Sequence, residues 1–442
     1  MQALVDSIQK NEAVDASVVP PVVESIEETG ISVTVIEHLI LKYLHFNGEL
    51  SGREIASTIG LQFSVISEVL ARFKHHQVIT VKNALGLGPV SSTFTLTESG
   101  RNLALQCLAY NQYTGPAPVP LYQYATIVER QKPKPDWLQP QQVQHAMRHL
   151  VVEKEIIEQL GPAVSASESF LIYGQPGNGK TALAEALAGI ESESIYIPYA
   201  IEYQGQIVQI YDPVYHPKVD QEQSVLKALS DDAPHDRRWF KSPRPFIMTG
   251  GELSMEMLDL TYNTNSKVYD APFQLKANNG IYLIDDFGRQ KASPKEILNR
   301  WIVPMERGVD YLNLHSGGKV TVPFAAFLIF STNLQPNNLG DEAFLRRIQY
   351  KMFVQNPKPA EFITIFKRTC ESRQLICPPG LAEGFVQKHY TATGKPFRRC
   401  QPRDIINHVV HIINFERRSK ELSEELLDRA FHSCFAQIVD DV

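Results

Sequence analysis

Eight residues near the middle of the chain have the types and spacing of a phosphate-binding loop. They read Gly174-Gln175-Pro176-Gly177-Asn178-Gly179-Lys180-Thr181, the pattern G-x-x-x-x-G-K-T. The glycines let successive backbone N–H groups approach a phosphate, and Lys180 brings a positive charge to it. The apolar run before the loop (169–173) predicts a buried strand, and the run after it (182–188) predicts a helix whose N-terminus favours anions. A simple glycine-rich turn would not combine these features, so the pattern predicts a site for ATP.

A second apolar run, residues 281–284, ends in Asp285 and Asp286. Carboxylates at the C-terminal end of a central strand lie where open α/β sheets bind ligands. Alone, this run could equally be a strand that meets a solvated turn, but together with Lys180 it predicts the other half of the site. We expect Asp285 and the Thr181 hydroxyl to hold Mg²⁺, and Asp286 to orient or polarise the attacking water.

Two further segments that could contribute to the site follow in chain order. Residues 327–332 predict another buried strand, and Asn333 after it is placed to position water near the terminal phosphate. Residues 341–347 predict a helix that ends in Arg346 and Arg347. A pair of arginines at a helix end is usually solvated, but its position after Asn333 favours a role in the reaction.

Together these residues resemble the AAA+ superfamily of P-loop ATPases, from about residue 141 to the C-terminus. The resemblance implies an α/β core over 141–355 and an α-helical lid over 356–442. It also implies sensor 1 at Asn333, an arginine finger at Arg346 or Arg347, and sensor 2 at Arg403, at a lid-helix start. Because a finger acts on the nucleotide of a neighbouring subunit, the resemblance implies a homo-oligomer, either a ring such as a hexamer or a filament.

Residues 252–280 and a predicted hairpin at 311–320 resemble the helix-2-insert branch, which includes enhancer-binding activators, magnesium-chelatase subunits and MoxR-type ATPases. That branch implies that residues 261–270 form a loop presented to the pore of the ring. Two departures stand out. The second acid is Asp286 where the family usually has Glu, which implies slow hydrolysis or help from Glu252. The long interval from Thr181 to Asp285 predicts an insertion near 190–244, with a hairpin within 195–210.

The N-terminal third predicts a separate α+β domain. Residues 1–30 carry six acids and one base, which indicates a solvated tail. Residues 31–113 predict three helices, a hairpin of two strands and a closing helix, which is the winged-helix arrangement. Within this domain Ser51 and Glu54 have the spacing of a capping box.

The partner of this domain stays open between duplex DNA and protein. Residues 31–113 hold six bases and five acids, so the net charge of this domain favours neither DNA nor protein as its partner. Arg72, Lys74 and Lys82 cluster near the third helix and the wing and are the candidate phosphate contacts. Three functions follow: an ATPase that remodels an unidentified protein client, an ATPase that assembles on DNA, and a nucleotide-gated scaffold with little turnover.

The remaining features are consistent with these expectations. Six prolines between 114 and 140 predict a linker or strap, and a helix is expected over 141–160. The five cysteines are scattered without a C-x-x-C pair, and the net charge of −6 is modest. No run approaches the ~18 apolar residues of a membrane span. We therefore expect a cytoplasmic protein without membrane insertion.

Overall fold

A computed structural model describes residues 18–84, 89–134, 137–190, 192–219, 235–339 and 345–435 of the 442-residue chain. Within these ranges, no helix has both the length and the apolar character that a membrane crossing requires. The described chain contains a central parallel sheet, a second mixed sheet, an N-terminal unit and a C-terminal helical unit.

Helices and strands are numbered separately in chain order over these described ranges. The helices are α1 (Ile26–Thr29), α2 (Val33–Asn47), α3 (Gly52–Ile59), α4 (Phe63–His75), α5 (Glu98–Tyr110), α6 (Leu121–Arg130), α7 (Pro140–Met147), α8 (Lys154–Ala166), α9 (Lys180–Ala188), α10 (Phe273–Lys276), α11 (Pro294–Arg307), α12 (Pro359–Ser372), α13 (Leu381–Val386), α14 (Gln401–Glu416) and α15 (Glu424–Cys434). The strands are β1 (Glu49–Ser51), β2 (Ile79–Ala84), β3 (Ser92–Leu96), β4 (Val119–Pro120), β5 (Phe170–Tyr173), β6 (Ile195–Pro198), β7 (Ala200–Tyr203), β8 (Gln206–Gln209), β9 (Trp239–Ser242), β10 (Phe246–Thr249), β11 (Thr261–Asn263), β12 (Val268–Asp270), β13 (Ile281–Ile284), β14 (Val309–Asn313), β15 (Lys319–Pro323), β16 (Phe327–Thr332) and β17 (Tyr350–Phe353).

Five parallel strands form the central sheet in the order β10-β13-β16-β5-β17. Successive side chains of a strand face opposite sides. Phe170 and Ile172 of β5 pack with α7, α8 and α9, whereas Leu171 packs on the other face with Trp301 of α11. Strands buried on both faces need near-continuous apolar runs, which explains the sequence pattern. The predicted α/β core and its three strands at β5, β13 and β16 are confirmed.

A second five-stranded sheet, in the order β11-β12-β8-β7-β4, combines three segments that the sequence suggested were separate. They are the proline-rich segment (β4), the predicted insertion (β7 and β8) and the predicted pore loop (β11 and β12). The β7–β8 hairpin turns at Gln204 and Gly205, whose φ angles of 50° and 79° suit a tight turn between twisted strands. The predicted hairpin is therefore present as β7 and β8. Strand β6, which also lies within the predicted range, is not part of the hairpin and pairs with β9.

The predicted pore loop at 261–270 is not a free loop. Its strands are part of the mixed sheet, and its tip contacts the N-terminal unit. The Gln112 N–H donates to the Ser266 carbonyl at 2.8 Å, and Lys267 Nζ donates to the Ala109 carbonyl at 2.5 Å. These contacts hold both the strands and the turn, so the segment is a packed hairpin, and that it faces the pore of a ring stays a prediction. The hairpin predicted at 311–320 is present as β14 and β15.

The N-terminal unit consists of α2, α3, α4, the antiparallel sheet β1-β3-β2 and the closing helix α5. The capping box between Ser51 and Glu54 is present at the start of α3. The buried core of this unit also includes Ala200, Ile207 and Val268 from the mixed sheet. The unit is thus packed against the mixed sheet through a shared apolar core.

Residues 18–30 do not form a solvated tail, and this prediction is wrong for them; residues 1–17 lie outside the described ranges. Val23 is buried in the shared core. The Thr29 carbonyl accepts a hydrogen bond of 2.8 Å from Arg238, whose buried guanidinium also pairs with Asp236 at 2.8 Å. The segment is ordered because it supplies an apolar side chain and a carbonyl to groups that are already buried.

The linker predicted over 114–140 contains β4, α6 and the start of α7. Tyr124 and Ile127 of α6 are buried in the core of the mixed sheet, and the Ala117 N–H donates to the Ile59 carbonyl at 2.7 Å. Pro120 precedes α6, and Pro140 is the first residue of α7. Proline suits the first turn of a helix, so these two prolines fit the ordered structure, and the linker prediction is wrong.

The single helix predicted over 141–160 is also wrong, because α7 ends at Met147 and α8 begins at Lys154. Residues 149–152, in the segment between these helices, line the site described below. The helices expected within 356–442 are present as α12 to α15. These helices surround their own apolar core, centred on Phe362, Tyr390 and Ile405.

Candidate functional site

The glycine-rich loop (residues 174–181) connects β5 to α9. Gly174, Gly177 and Gly179 all have positive φ angles, of 149°, 80° and 82°. A Cβ atom on Gly174 would lie 2.5 Å from the Val354 carbonyl oxygen. Glycine is therefore required at Gly174 both by the backbone conformation and by the neighbouring strand. The loop opens at the N-terminus of α9, where unpaired N–H groups favour an anion.

Lys180 joins the loop to two residues that follow other strands of the sheet. Its Nζ donates to the carbonyls of Gly174 and Gln175, both at 3.1 Å, and to Asn333 Oδ1 at 2.7 Å. Asn333 Nδ2 in turn donates to Asp286 Oδ1 at 3.0 Å. Burial lowers the pKa of Lys180, while Asp285 and Asp286 oppose that shift. The chain of contacts brings three sequence-predicted residues together at one edge of the sheet.

The remaining predicted pair, Thr181 and Asp285, is also in contact. Thr181 Oγ1 donates to Asp285 Oδ2 at 2.7 Å. The Asp285 N–H donates to the Thr249 carbonyl at 2.8 Å, which fixes Asp285 just beyond β13. A hydroxyl and a carboxylate oxygen at this distance are hard donors of the kind that Mg²⁺ prefers. The donor set therefore fits the predicted Mg²⁺.

Asp286 has a φ angle of 48°, which a non-glycine residue rarely adopts. The Asp286 N–H donates to Asp285 Oδ1 at 2.9 Å. Glu252, the residue expected to help, follows the neighbouring strand β10 and binds the Gly250 N–H at 2.9 Å. Glu252 is not among the described residues that line the cavity, and its assistance to Asp286 stays a prediction.

A cavity of about 900 Å³ lies against these residues. Its walls come from the glycine-rich loop, from residues 149–152 and from the C-terminal helical unit. Arg403, the predicted sensor 2, lines the cavity from the start of α14 with its side chain 67% exposed. The helical unit also touches the loop directly, since the Cys400 N–H donates to the Gly177 carbonyl at 2.8 Å. The helical unit therefore lies against the loop and forms part of the cavity wall.

Sequence reasoning missed several arginines around this cavity. Arg368 and Arg399 line it, and Arg398 donates to Asn356 Oδ1, which also accepts from Asn178 Nδ2 at 2.8 Å. Arg398 and Arg399 stand immediately before the stretch that suggested Arg403. Their partners include backbone carbonyls, an amide and the Glu361 carboxylate from distant parts of the chain, so no spacing pattern marked them.

Arg346 and Arg347 do not line the cavity of their own chain. Arg346 is exposed. Arg347 Nε donates to Glu306 Oε1 of α11 at 2.6 Å. Of the helix predicted over 341–347, residues 341–344 lie outside the described ranges.

The candidate DNA contacts are placed near α4 and β2. Arg72 pairs with Glu37 at 2.8 Å, and Lys82 pairs with Glu49. Lys74 is exposed in the last turn of α4. Two of the three bases are thus balanced by carboxylates of the same unit.

Comparison with known proteins gives three findings. Residues 358–433 match a family model described as a domain of unknown function (DUF8689). No curated protein matches the sequence. One solved structure with some similarity is NtrX from Brucella abortus, at 12% identity and a TM-score of 0.41 over 64% of this chain and 56% of that chain. Another is the Holliday-junction branch-migration motor RuvB from Thermotoga maritima, at 11% identity and a TM-score of 0.37 over 64% of this chain and 69% of that chain.

The match spans little more than half of the NtrX chain. An NtrX structure in complex with ADP matches at 12% identity, with a TM-score of 0.37 over 65% of this chain and 53% of that chain. These similarities are too low to bear on what the present chain does, and the function has to follow from the cavity itself.

Proposed function

We propose that this chain is a P-loop ATPase of the AAA+ kind that hydrolyses ATP between neighbouring copies of itself. One observation carries the proposal. Lys180, Asn333 and Asp286 form one hydrogen-bonded chain, and beside it Thr181 contacts Asp285. Residues from the glycine-rich loop and from the ends of two parallel strands therefore converge on one cavity, as phosphoryl transfer requires.

Each residue has a distinct part in this proposal. The backbone of the glycine-rich loop and Lys180 bind the β and γ phosphates of ATP. Thr181 and Asp285 would hold Mg²⁺, which neutralises charge on the phosphates when bound. Asp286 accepts a hydrogen bond from the attacking water, and Asn333 fixes the Asp286 carboxylate and Lys180 relative to each other.

The arginine that completes the site comes from a second chain in this proposal. Arg346 is exposed and Arg347 is partly exposed, and both lie outside the cavity of their own chain. An arginine supplied in trans can stabilise the transferring phosphoryl group. Arg347 is already paired with Glu306. This pair supports Arg346 as the arginine finger and Arg347 as a residue that stabilises the interface between neighbouring chains. A ring, such as a hexamer, or a filament would both provide this arrangement.

The N-terminal unit, in this proposal, is a winged helix that recruits a protein client. Two of its candidate phosphate contacts, Arg72 and Lys82, are paired with Glu37 and Glu49. Binding to DNA would have to break these pairs, so the observation favours docking of a protein over duplex DNA. The α4 face that carries Arg72 and Lys74 is exposed.

A direct test of the nucleotide site is equilibrium binding of ATP to the Lys180→Ala variant. Lys180 supplies a buried cation facing the phosphates, and charge-assisted hydrogen bonds contribute about 1.5–3 kcal/mol. We expect the dissociation constant for ATP, measured by calorimetry, to rise by a factor of about 10–100.

The matched control is Lys154→Ala. Lys154 is an exposed lysine of α8 that pairs with Glu158 and does not line the cavity. Equal ATP affinity in wild type, Lys180→Ala and Lys154→Ala would remove the nucleotide site.

A further inference from the structure

Two arginines of the C-terminal helical unit hold the backbone of the segment between α7 and α8. Arg399 Nη1 donates to the Val151 carbonyl. Arg368 Nη1 donates to the Leu150 carbonyl at 3.3 Å and to the Arg148 carbonyl at 3.5 Å. Both arginines line the cavity that contains the glycine-rich loop. The helical unit is thereby tied to one wall of this cavity.

Arg399 is held firmly in this position. Its side chain is only 10% exposed and pairs with Glu361 at 3.3 Å. Burying an ion pair is costly unless hydrogen bonds satisfy both partners. Its Nε is nevertheless buried without a hydrogen-bond partner among the described residues. A buried guanidinium with an unused donor beside the cavity points to a role beyond packing.

The segment that Arg399 holds has the chemistry of a base-binding wall. Residues 149–152, His149-Leu150-Val151-Val152, line the cavity with mostly apolar side chains. A flat heterocycle needs apolar contacts and a few fixed polar groups. The glycine-rich loop supplies groups for phosphates, so the apolar segment is left for the base.

We propose that Arg399, assisted by Arg368, is a positioning residue that makes base binding depend on the docked helical unit. It fixes residues 148–152 against that unit, so the base end of the cavity is formed only while the unit is in place. The inference rests on the proposed nucleotide site and adds to it a basis for distinguishing a nucleoside triphosphate from bare triphosphate.

The test compares dissociation constants for ATP and for inorganic tripolyphosphate, each with Mg²⁺, in wild type and Arg399→Ala. We expect the constant for ATP to rise about tenfold, equivalent to 1.4 kcal/mol, and that for tripolyphosphate to change less than about twofold. Arg399→Lys keeps the charge but cannot reach both Val151 and Glu361 with a fork of donors. It should bind ATP with intermediate affinity.

The control is Arg429→Ala, since Arg429 pairs with Glu416 on the exposed side of the helical unit and does not line the cavity. It should bind both ligands as wild type does. Equal weakening of both ligands in Arg399→Ala, or unchanged ATP affinity, overturns the inference while the nucleotide site stands. Wild type that binds neither ligand removes the proposed function and the inference together. Should Arg399→Ala fail to fold, Arg399→Lys decides by the same comparison.

Discussion

At Asp286 the backbone and the carboxylate make separate contributions. The φ angle of 48° turns the chain immediately after Asp285, and the carboxylate accepts from Asn333 at 3.0 Å. Aspartate and asparagine adopt this left-handed conformation more readily than most residues. The aspartate at this position therefore has a backbone conformation that suits its residue type.

This gives a prediction for Asp286→Asn, which keeps the size and the backbone preference but removes the charge. We expect the turnover rate to fall by about 10²–10⁴, the usual contribution of a positioned proton acceptor. ATP affinity should stay within about twofold of wild type, because the variant leaves the glycine-rich loop and Thr181 intact. Single-turnover phosphate release and calorimetry measure the two quantities.

Glu68→Gln, at an exposed position of α4, is the control for removing one carboxylate and should behave as wild type. Unchanged turnover in Asp286→Asn would show that another group activates the water.

Most residues that contact ATP in the proposal could be predicted from sequence, and those that shape its surroundings could not. Lys180, Thr181, Asp285 and Asn333 each stand in a fixed relation to a strand that the apolar pattern reveals. Arg399 instead reaches a carbonyl 248 positions away. A backbone carbonyl has no residue type, so the sequence carries no sign of such a contact.

At the scale of elements, the contact between the glycine-rich loop and the helical unit links two regions that the sequence presents separately. Gly177 and Gly179 have nearly the same φ angle, 80° and 82°. A Cβ on Gly177 would lie 2.6 Å from Cys400 Sγ, whereas a Cβ on Gly179 would have no described residue within 4 Å apart from its neighbours along the chain. The two glycines therefore share backbone strain but differ in steric surroundings.

We predict that Gly177→Ala lowers the midpoint of thermal unfolding, without nucleotide, by about 2–4 °C more than Gly179→Ala does. That difference corresponds to roughly 1 kcal/mol of overpacking. The strain of a positive φ angle is common to both variants and cancels in the comparison.

Adding Cys400→Ala to Gly177→Ala removes the clashing sulfur and should recover the difference. Equal midpoints for the two glycine variants, or no recovery in the double variant, would mean that the helical unit does not press on the loop in solution.

The elements that sequence reasoning placed wrongly share one cause. Proline density indicated a linker at 114–140, yet Pro120 and Pro140 lie at helix starts, and α6 buries Tyr124. Acidic composition indicated a tail, yet Val23 is buried within residues 18–30. Local composition describes what a segment prefers alone, whereas these segments are ordered by apolar surfaces that other parts of the chain supply.

On the scale of the whole molecule, the N-terminal unit and the mixed sheet share one apolar core. Along the chain, the mixed sheet contains one strand that precedes β5, the first strand of the central sheet, and four strands that follow it. In the proposed function, a client bound to the N-terminal unit would therefore act on a sheet that shares an apolar core with that unit. The sequence could not predict this arrangement, because it depends on contacts between residues such as Ala117 and Ile59, or Gln112 and Ser266.

In the proposed function, ATP is hydrolysed between chains, with Arg346 of one chain acting at the glycine-rich loop of the next. We predict that Arg346→Ala binds ATP but turns it over much more slowly, since an arginine supplied in trans contributes a factor of about 10³–10⁵. Mixing Arg346→Ala with Lys180→Ala should restore part of the activity. In such mixtures, an intact loop from the first variant meets an intact arginine from the second.

The most direct measurement is the rate of phosphate release per chain at saturating ATP, followed while the protein is diluted and its assembly state is monitored by light scattering. Hydrolysis between chains predicts that the rate per chain falls as the assemblies dissociate, in parallel with the loss of scattering. A rate per chain that stays constant into the monomeric range, or no phosphate release at any concentration, would contradict it.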